Sequence, residues 1–265
     1  MSLKVTILGC GSSAGVPRVG QGWGACDPAN PKNRRRRCAL LVERTGPDGA
    51  TTVLVDMGPD LREQLLDADV RKLDGILLTH EHADHTHGID DVRPLAIAMR
   101  RRLDVWIDDK TFAFLEDRFD YIFRTPHGSS YPPILRRHPM AIGGEVVING
   151  AGGAVRALPF NMLHGDTTAL GFRFNDLAYA SDVHLMPEES VAMLHGLDVL
   201  IVDALRHTPH PTHFNVAEAL ELIARVQPKR AVLTNLHTDL DYATLAAELP
   251  PHVTPAFDGM VLETA

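Results

Sequence analysis

A short histidine-rich segment constrains the fold of this chain more than any other part of the sequence. Residues 77–88 read LLTHEHADHTHG, so an apolar run ends in five potential metal ligands, His80, His82, Asp84, His85 and His87. The apolar run Gly75–Leu78 predicts a buried strand that delivers these side chains to one place. Imidazole and carboxylate groups together are typical ligands of Zn, Fe, Mn or Ni. The segment therefore predicts a metal site at the end of a strand.

The composition is that of an ordinary soluble protein. Of the 265 residues, 45% are hydrophobic, which suffices for a substantial core, and no repeat or composition break divides residues 1–265, so we expect a single domain. The net charge of −8 argues against a protein that coats nucleic acid by bulk electrostatics. No stretch approaches the roughly 18–20 apolar residues needed to span a bilayer. Three cysteines and the lack of a secretory signal pattern favour a cytoplasmic protein without a membrane partner.

The order of predicted elements indicates an α/β (α+β) fold. Apolar runs predict strands at Val5–Leu8, Cys38–Glu43, Thr52–Asp56, Gly75–Leu78, Val105–Ile107, Glu145–Ile148, Ala154–Pro159, Ala169–Phe174, Leu177–Ala180, Asp198–Val202 and Arg230–Thr234. Helical spacing predicts helices at Asp60–Asp67, Asp90–Arg101, Lys110–Phe119, Pro187–Leu194 and Asn215–Val226. Residues 120–139, rich in proline, aromatic and basic residues, are interpreted as a surface insertion or lid, and His127 and His138 within it stay unassigned. Two β-rich halves with outer helices predict a pair of sheets between helical layers.

Two segments near the start of the chain bear on a binding site. Residues 9–24 contain six glycines, but the third glycine of a dinucleotide-binding fingerprint is displaced and Pro17 follows where a helix is required. A tightly turned loop near a site is therefore favoured. The basic run Arg34–Arg37 has two interpretations, a solvated turn with ion pairs or an anion-binding lip, since guanidinium groups match phosphate bidentately.

Further metal ligands are expected beside other predicted strands, and His164, Asp182 and His237 have such positions. The segment THEHADH at residues 79–85, followed in order by these three residues, resembles the metallo-β-lactamase superfamily over nearly the whole chain. That resemblance implies a four-layer αββα sandwich with two divalent metal ions, Zn or Mn, with Fe or Ni also compatible. It implies that His80, His82 and His164 hold one ion, that Asp84, His85 and His237 hold the other, and that Asp182 bridges both. Such a metal pair yields a bridging hydroxide nucleophile at neutral pH.

Four shorter motifs narrow the resemblance to one family within this superfamily. GCGSSAGVP at residues 9–17, NRRRR at 33–37, HFNVAEAL at 213–220 and NLHTDLDY at 235–242 resemble the PhnP-type phosphodiesterases, which hydrolyse a cyclic phosphate of phosphoribose. The resemblance implies a small anionic phosphodiester substrate and assigns Asp84 and His213 as catalytic residues. His213 would protonate the leaving oxygen or hold the phosphate, and a histidine suits this role because the ordinary pKa of imidazole lies near the working pH. A homodimer is left open.

Some residues fall outside these motifs. His87, His207 and His210 are not matched, and we assign them no role. PhnP-type proteins can hold an additional structural zinc partly through closely spaced early cysteines, whereas this chain has only Cys26 there, with Cys38 twelve residues later. The sequence therefore does not establish a structural zinc near Cys26, and we predict that both cysteines are buried thiols.

Several other activities share the ligand pattern. A ribonuclease Z type tRNA-processing enzyme is the first alternative, but it grips RNA with a long basic arm, whereas this chain is acidic and its insertion is short. Thioester hydrolysis and β-lactam hydrolysis leave the His213 motif without a role. A di-iron redox protein would have glutamate in place of His82, and a non-catalytic metal-binding scaffold would not need a matching proton donor.

Overall fold

The first half of the chain forms a mixed seven-stranded sheet in a computed structural model that describes residues 2–264. Its strands are β1 (Lys4–Gly9), β2 (Ala39–Gly46), β3 (Gly49–Val55), β4 (Gly75–Leu77), β5 (Leu103–Ile107) and β6 (Leu135–Pro139), with β14 (Met260–Glu263) beside β1. The predicted turn at residues 46–49 joins β2 to β3 as an antiparallel hairpin, whereas β3 to β6 run parallel. Met1 and Ala265, the ends of the expected domain, lie outside the described residues.

The second half forms the other seven-stranded sheet. Its strands are β7 (Val146–Ile148), β8 (Val155–His164), β9 (Thr167–Phe174), β10 (Leu177–Ala180), β11 (Val199–Asp203), β12 (Arg230–Thr234) and β13 (Val253–Pro255). The strand order is β13-β12-β11-β10-β9-β8-β7, so each strand lies beside its neighbours in sequence. Strands β7 to β10 are antiparallel and β10 to β13 are parallel. Each sheet therefore contains one run of parallel strands, whose carboxyl ends share an edge.

Helices cover the outer face of each sheet. They are α1 (Leu61–Asp67), α2 (Ala83–Thr86), α3 (Arg93–Met99), α4 (Asp109–Phe123), α5 (Glu188–Met193), α6 (Val216–Val226) and α7 (Tyr242–Glu248). One buried cluster joins the facing sides of the two sheets, through residues such as Val53 and Phe172. Two more clusters pack the outer faces against helices, with Leu115 of α4 on one side and Leu222 of α6 on the other. These four layers confirm the predicted αββα sandwich.

The segment 120–139 differs from its prediction as an insertion or lid. Helix α4 continues to Phe123, and Leu135–Pro139 pairs in parallel with β5, so only residues 124–134 form a loop. Leu135 is fully buried, which anchors this short strand despite its basic neighbours. Because β6 is the edge strand of the sheet, Pro139 is tolerated at its end.

Two smaller differences concern the elements themselves. The helix predicted at Asp90–Arg101 is a 3-10 turn at Ile89–Val92 followed by α3, where Pro94 occupies the first turn. Helices α2 and α7 and strands β13 and β14 were not predicted from sequence. Cys26 and Cys38 are buried free thiols, as predicted, and Cys10 is a third. Among residues 2–264, no helix is both long and apolar enough to cross a membrane.

Candidate functional site

Polar residues follow the parallel strands of both sheets where those strands end. Asp56 follows β3, His80 lies three residues beyond β4, and Asp182 lies two residues beyond β10. Asp203 is the last residue of β11, and Asn235 follows β12. The carboxyl ends of parallel strands are where open α/β sheets place their ligand sites, because the loops that leave this edge bring side chains together. The candidate site is therefore built from both halves of the chain.

Three overlapping groups of potential ligands converge at this edge. In each group the ligand atoms lie within 4.8 Å of one another, and the groups are His80 with His82 and His164, His80 with His85 and Asp182, and His164 with Asp182 and His213. The shared residues His80, His164 and Asp182 make the three groups one contiguous cluster. Seven residues of the cluster and its rim were predicted from sequence as metal ligands, and five of those seven belong to these groups.

The first group has its ring nitrogens arranged as ligands. His80 is fully buried, its Nδ1 lies 2.9 Å from the Thr79 hydroxyl, and its Nε2 has no hydrogen-bond partner among residues 2–264. The Nδ1–H of His164 donates to the Thr212 carbonyl at 2.7 Å, which leaves the lone pair on Nε2, 3.3 Å from Nδ1 of His82. Burial lowers the pKa of both His80 and His164, which favours the neutral imidazoles that bind metals.

The second group is ordered by a buried carboxylate. His85 Nδ1 lies 2.7 Å from Asp56 Oδ2, while its Nε2 lies 3.1 Å from Asp182 Oδ2 and 3.5 Å from Asp84 Oδ2. Burial disfavours the imidazolium form of His85, but Asp182, Asp84 and Asp56 outweigh it and hold its pKa well above the usual value. Three carboxylates around one ring concentrate negative charge, which a divalent cation would neutralise. The buried, unpartnered His80 Nε2 and these carboxylates thus fit divalent ions.

His213 is held by a second buried carboxylate. Its Nδ1 lies 2.7 Å from Oδ2 of the fully buried Asp203, which also accepts the Val183 N–H at 3.0 Å. Asn235 Nδ2 donates to the Ser181 carbonyl at 3.0 Å and to Asp182 Oδ1 at 3.1 Å, so both of its N–H groups are used. Burial opposes the imidazolium form, but Asp203 outweighs it and raises the pKa of His213 to about 9. With Nδ1 bound to Asp203, Nε2 is the nitrogen left to act on a ligand.

Two of the predicted ligands lie at the rim of the cluster. Asp84 is half-buried, and burial raises its pKa less than His85 lowers it, which leaves the pKa at about 2. His237 belongs to none of the three groups of described residues. Its Nε2 lies 2.6 Å from Nη1 of Arg18, and its Nδ1 lies 3.1 Å from Asp239 Oδ1.

A cavity of about 630 Å³ opens beside Asp84. Its lining combines Ser13, Ala14, Arg18, Val19 and Gln21 of the glycine-rich loop with Arg37, Pro59, Ala83 and His87. The two arginines of this lining fit an anionic ligand, because guanidinium N–H groups bind phosphate oxygens. The cavity therefore brings Arg18 and Arg37 close to Asp84.

The four arginines of the basic run have different roles. Arg35 is fully buried and donates to the carbonyls of His237 and Leu240, at 3.2 and 2.8 Å. Arg36 is paired with Asp258 and Asp67, and exposed Arg34 lies over the Trp23 ring. Only Arg37 lines the cavity beside Asp84. The ion pairs of Arg36 fit the predicted turn, anion binding by Arg37 stays a prediction, and neither interpretation describes the buried Arg35.

Five histidines that the sequence left without a role lie in varied places. His87 is on the cavity wall and packs edge-on against Phe119, and the His210 ring lies 5.2 Å from the His213 ring. His138 stacks on Trp106 and contacts Asp104, far along the chain from the ligand loops. His127 is exposed in the 124–134 loop, and exposed His207 lies 3.8 Å from Glu248.

Three residues that the sequence interpretation left without a role contact the site. Asp56 and Asp203 each end an apolar run, VLVD and VLIVD, in the same way that the strand before His80 ends. A carboxylate directly after a buried strand was therefore a signal for both. Arg18 has no comparable signal, because only the folded glycine-rich loop brings it to His237.

Comparison with known proteins agrees with this architecture. The β-lactamase superfamily domain matches residues 51–235, which include most of the cluster. A protein named octanoyltransferase from Porphyromonas gingivalis (strain ATCC BAA-308 / W83) is 31% identical over 263 residues, 97% of this chain and 51% of that protein. A ribonuclease Z from Bradyrhizobium sp. (strain ORS 278) is 32% identical over 168 residues, 62% of this chain and 51% of that enzyme. The chain thus spans about half the length of the curated relatives it matches.

A solved structure matches over the full length. It is described as a new diphosphatase from the PhnP family, is 34% identical, and superposes with a TM-score of 0.89. The match covers 100% of this chain and 98% of that one, so both sheets and the loops of the cluster have counterparts. The chain therefore belongs to the β-lactamase superfamily of metal-dependent hydrolases and, within it, to the PhnP family.

Proposed function

We propose that this chain is a metal-dependent phosphodiesterase that hydrolyses a small phosphorylated substrate with a cyclic phosphodiester of the phosphoribosyl 1,2-cyclic phosphate kind. One observation carries the proposal. Buried imidazoles and carboxylates converge around His80 and Asp182, directly beside a cavity lined by Arg18 and Arg37. This combination supplies metal ligands and an anion-binding wall within one site.

The ligand set is proposed to hold two divalent ions. His80, His82 and His164 would bind one, Asp84, His85 and His237 the other, and Asp182 would contact both. When bound, such ions lower the pKa of a water molecule and offset charge that develops on the attacked phosphorus centre. Asp56 orients His85 through its Nδ1, a contact of the kind that commonly fixes metal-binding histidines.

The cavity is proposed to bind the anionic part of the substrate. Its volume of about 630 Å³ falls in the range of about 300–1,000 Å³ that is usual for small-molecule sites. Arg18 and Arg37 would bind phosphate oxygens, which places the scissile group next to Asp84. The PhnP-family relative is called a diphosphatase, so a diphosphate ester is a further substrate of the same anionic class.

His213 is proposed to protonate the leaving oxygen. Asp203 accepts the Nδ1–H, which fixes the ring and presents Nε2 to the substrate. A positioned general acid typically contributes about 10² to 10⁴ in rate. The ring contacts His164, at a centroid distance of 4.6 Å, so the donor adjoins the proposed ions.

A nucleic-acid substrate is the second candidate function. The ribonuclease Z relative from Bradyrhizobium favours it, because it is 32% identical over 168 residues, 62% of this chain. The net charge of −8 favours the small substrate, since RNA affinity depends on phosphate neutralisation by basic residues. Three buried thiols support a reducing cytoplasmic location for either activity.

A hydrolysis panel tests the proposal. Protein loaded with Mn or Zn is offered phosphoribosyl cyclic phosphate, cyclic nucleotides, a diphosphate ester, precursor tRNA and an acyl-glutathione thioester, and kcat/KM is compared. The proposal predicts the highest value for the cyclic phosphodiester. Preferred cleavage of precursor tRNA would support the second candidate, and preferred thioester cleavage would contradict both.

A further inference from the structure

We propose that Arg18 gates the second ion of the site. Its guanidinium and the ion compete for one nitrogen of His237, and an anionic ligand in the cavity releases that nitrogen by drawing Arg18 away. This inference rests on the proposed two-ion function. It adds that substrate binding and binding of the second ion assist each other.

The competition follows from one hydrogen bond. Arg18 Nη1 lies 2.6 Å from His237 Nε2, and a guanidinium has donors only, so Nε2 is the acceptor and its lone pair faces Arg18. A divalent ion on an imidazole nitrogen takes up a distance of about 2.0–2.1 Å along the same lone pair. An ion there would overlap the guanidinium nitrogen. Arg18 and the ion are therefore mutually exclusive partners of His237.

Arg18 stands on a short hairpin with little packing at its tip. Its backbone N–H and carbonyl pair with Gly22, at 2.9 and 2.8 Å, and the tip residue Val19 is completely exposed. Gly20 and Gly22 have positive φ values of 78° and 72°, and nothing lies within 4 Å of where their Cβ atoms would be. A turn with so few contacts can move Arg18 without disturbing the buried core.

The cavity supplies the competing partner for Arg18. Arg18 lines it together with Arg37 and Asp84. Phosphate carries negative charge that attracts the guanidinium, and arginine can make two parallel charge-assisted hydrogen bonds to its oxygens. The single N–H bond to the neutral His237 ring is the weaker arrangement. Phosphate in the cavity would therefore pull Arg18 from His237.

The binding of phosphate and the binding of the second ion are linked, and this linkage defines the quantity to measure. If phosphate frees His237 for an ion, the ion must raise phosphate affinity by the same factor, because both act through one equilibrium. The other ligand group, His80 with His82 and His164, excludes His237, so the first ion should not respond to Arg18. The first ion is thus an internal control for the integrity of the site.

The test is equilibrium dialysis against Mn²⁺, with and without inorganic phosphate, counting bound ions per chain. For the wild type, phosphate is expected to tighten the second ion by about 10-fold. Arg18→Gln should bind the second ion tightly without phosphate, and phosphate should then add less than about 2-fold. Arg18→Lys, which keeps a donor cation on the same turn, should fall between the two. Arg34→Gln is the matched control, because exposed Arg34 faces the neighbouring cavity, and it should behave as wild type.

The outcomes separate the gate from the two-ion site. Two ions per chain with the same second-ion affinity in Arg18→Gln and wild type would overturn the gate and leave the two-ion site standing. A phosphate effect that persists undiminished in Arg18→Gln would also overturn the gate. One ion per chain in every variant would overturn the two-ion function, and the gate with it.

Discussion

Two carboxylate–histidine pairs, one from each sheet, share a geometry and differ in their surroundings. In the first sheet Asp56 lies 2.7 Å from His85 Nδ1, and in the second sheet Asp203 lies 2.7 Å from His213 Nδ1. Both aspartates are fully buried at the end of an apolar strand. The His85 side chain is 1% exposed, whereas that of His213 is 14% exposed. The same local arrangement thus occurs once inside the cluster and once at its open side.

The second ring nitrogen decides what each pair can do. His85 Nε2 faces Asp182 and Asp84, so both nitrogens of this ring are committed to carboxylates. The hydrogen bonds and ion pairs of His213 within residues 2–264 all involve Nδ1. We propose that an oriented histidine serves as a metal ligand where carboxylates surround its other nitrogen, as at His85, and as a proton donor where that nitrogen stays available, as at His213. The pairing aspartate alone does not set the role.

The largest effect is expected from removing Asp182, the residue that both pairs adjoin. It lies 3.1 Å from His85 and 3.7 Å from His213. Asp182→Ala should lower ion content and turnover together. The loss of ion affinity should exceed the about 10–100-fold that follows from changing a residue that only contacts a metal ligand. Ion content by atomic emission and phosphodiesterase turnover are measured on the same sample. Normal turnover in this variant would end the two-ion account.

Removing His213 should leave the first pair intact. His213→Ala is expected to slow turnover by about 10² to 10⁴ while both ions stay bound, because it removes only the proton donor. Single-turnover hydrolysis and ion content are the measurements. His210→Ala is the control, since its ring neighbours His213 without contacting Asp203, and it should change the rate far less. An unchanged rate in His213→Ala would remove this residue from the mechanism.

Neutralising the aspartate of the first pair should weaken ion binding. Asp56→Asn keeps the size of the side chain but removes the charge that orients His85, so ion affinity should fall by about 10–100-fold. Isothermal titration with Zn²⁺ or Mn²⁺ measures it. Ion affinity equal to that of wild type would show that Asp56 serves only the fold.

The smallest effect concerns the residue between the second pair and Asp182. Asn235→Ala leaves the Ser181 carbonyl and Asp182 Oδ1 without this buried donor, which should lower the free energy of unfolding by about 1–3 kcal/mol. Urea unfolding without added ions measures this cost. A change below about 0.5 kcal/mol would indicate that other groups satisfy these acceptors.

Much of the architecture was predictable from sequence, because the apolar runs that predict strands are directly followed by the polar residues of the site. Apolar runs located most strands, and polar residues directly after them pointed to one edge of the sheets. Strand β6 escaped, since only its pairing with β5 offsets its basic and proline residues. The buried Arg35 was equally unpredictable, because its partners are backbone carbonyls about 200 positions away.

The site was predictable in its ligands and less so in its orienting contacts. The cluster contains five of the seven ligands expected from sequence, while the division of those ligands between two ions stays a prediction. Asp56 lies 29 positions from His85, and Arg18 lies 219 positions from His237. Such contacts depend on how loops close over the sheets. Motifs and periodicity in the sequence do not reveal this closure.

One measurement tests most directly whether the two pairs do different work. Asp203→Asn and Asp56→Asn are compared on two phosphodiesters, an aryl ester that releases 4-nitrophenolate and an alkyl ester that releases an alkoxide. The account predicts that Asp203→Asn slows the alkyl ester by about 10² to 10⁴, spares the aryl ester and keeps its ions, since only the alkoxide needs a proton donor. Asp56→Asn should lose ions and slow both esters alike. Equal slowing of both esters by Asp203→Asn, or loss of its ions, would contradict the account.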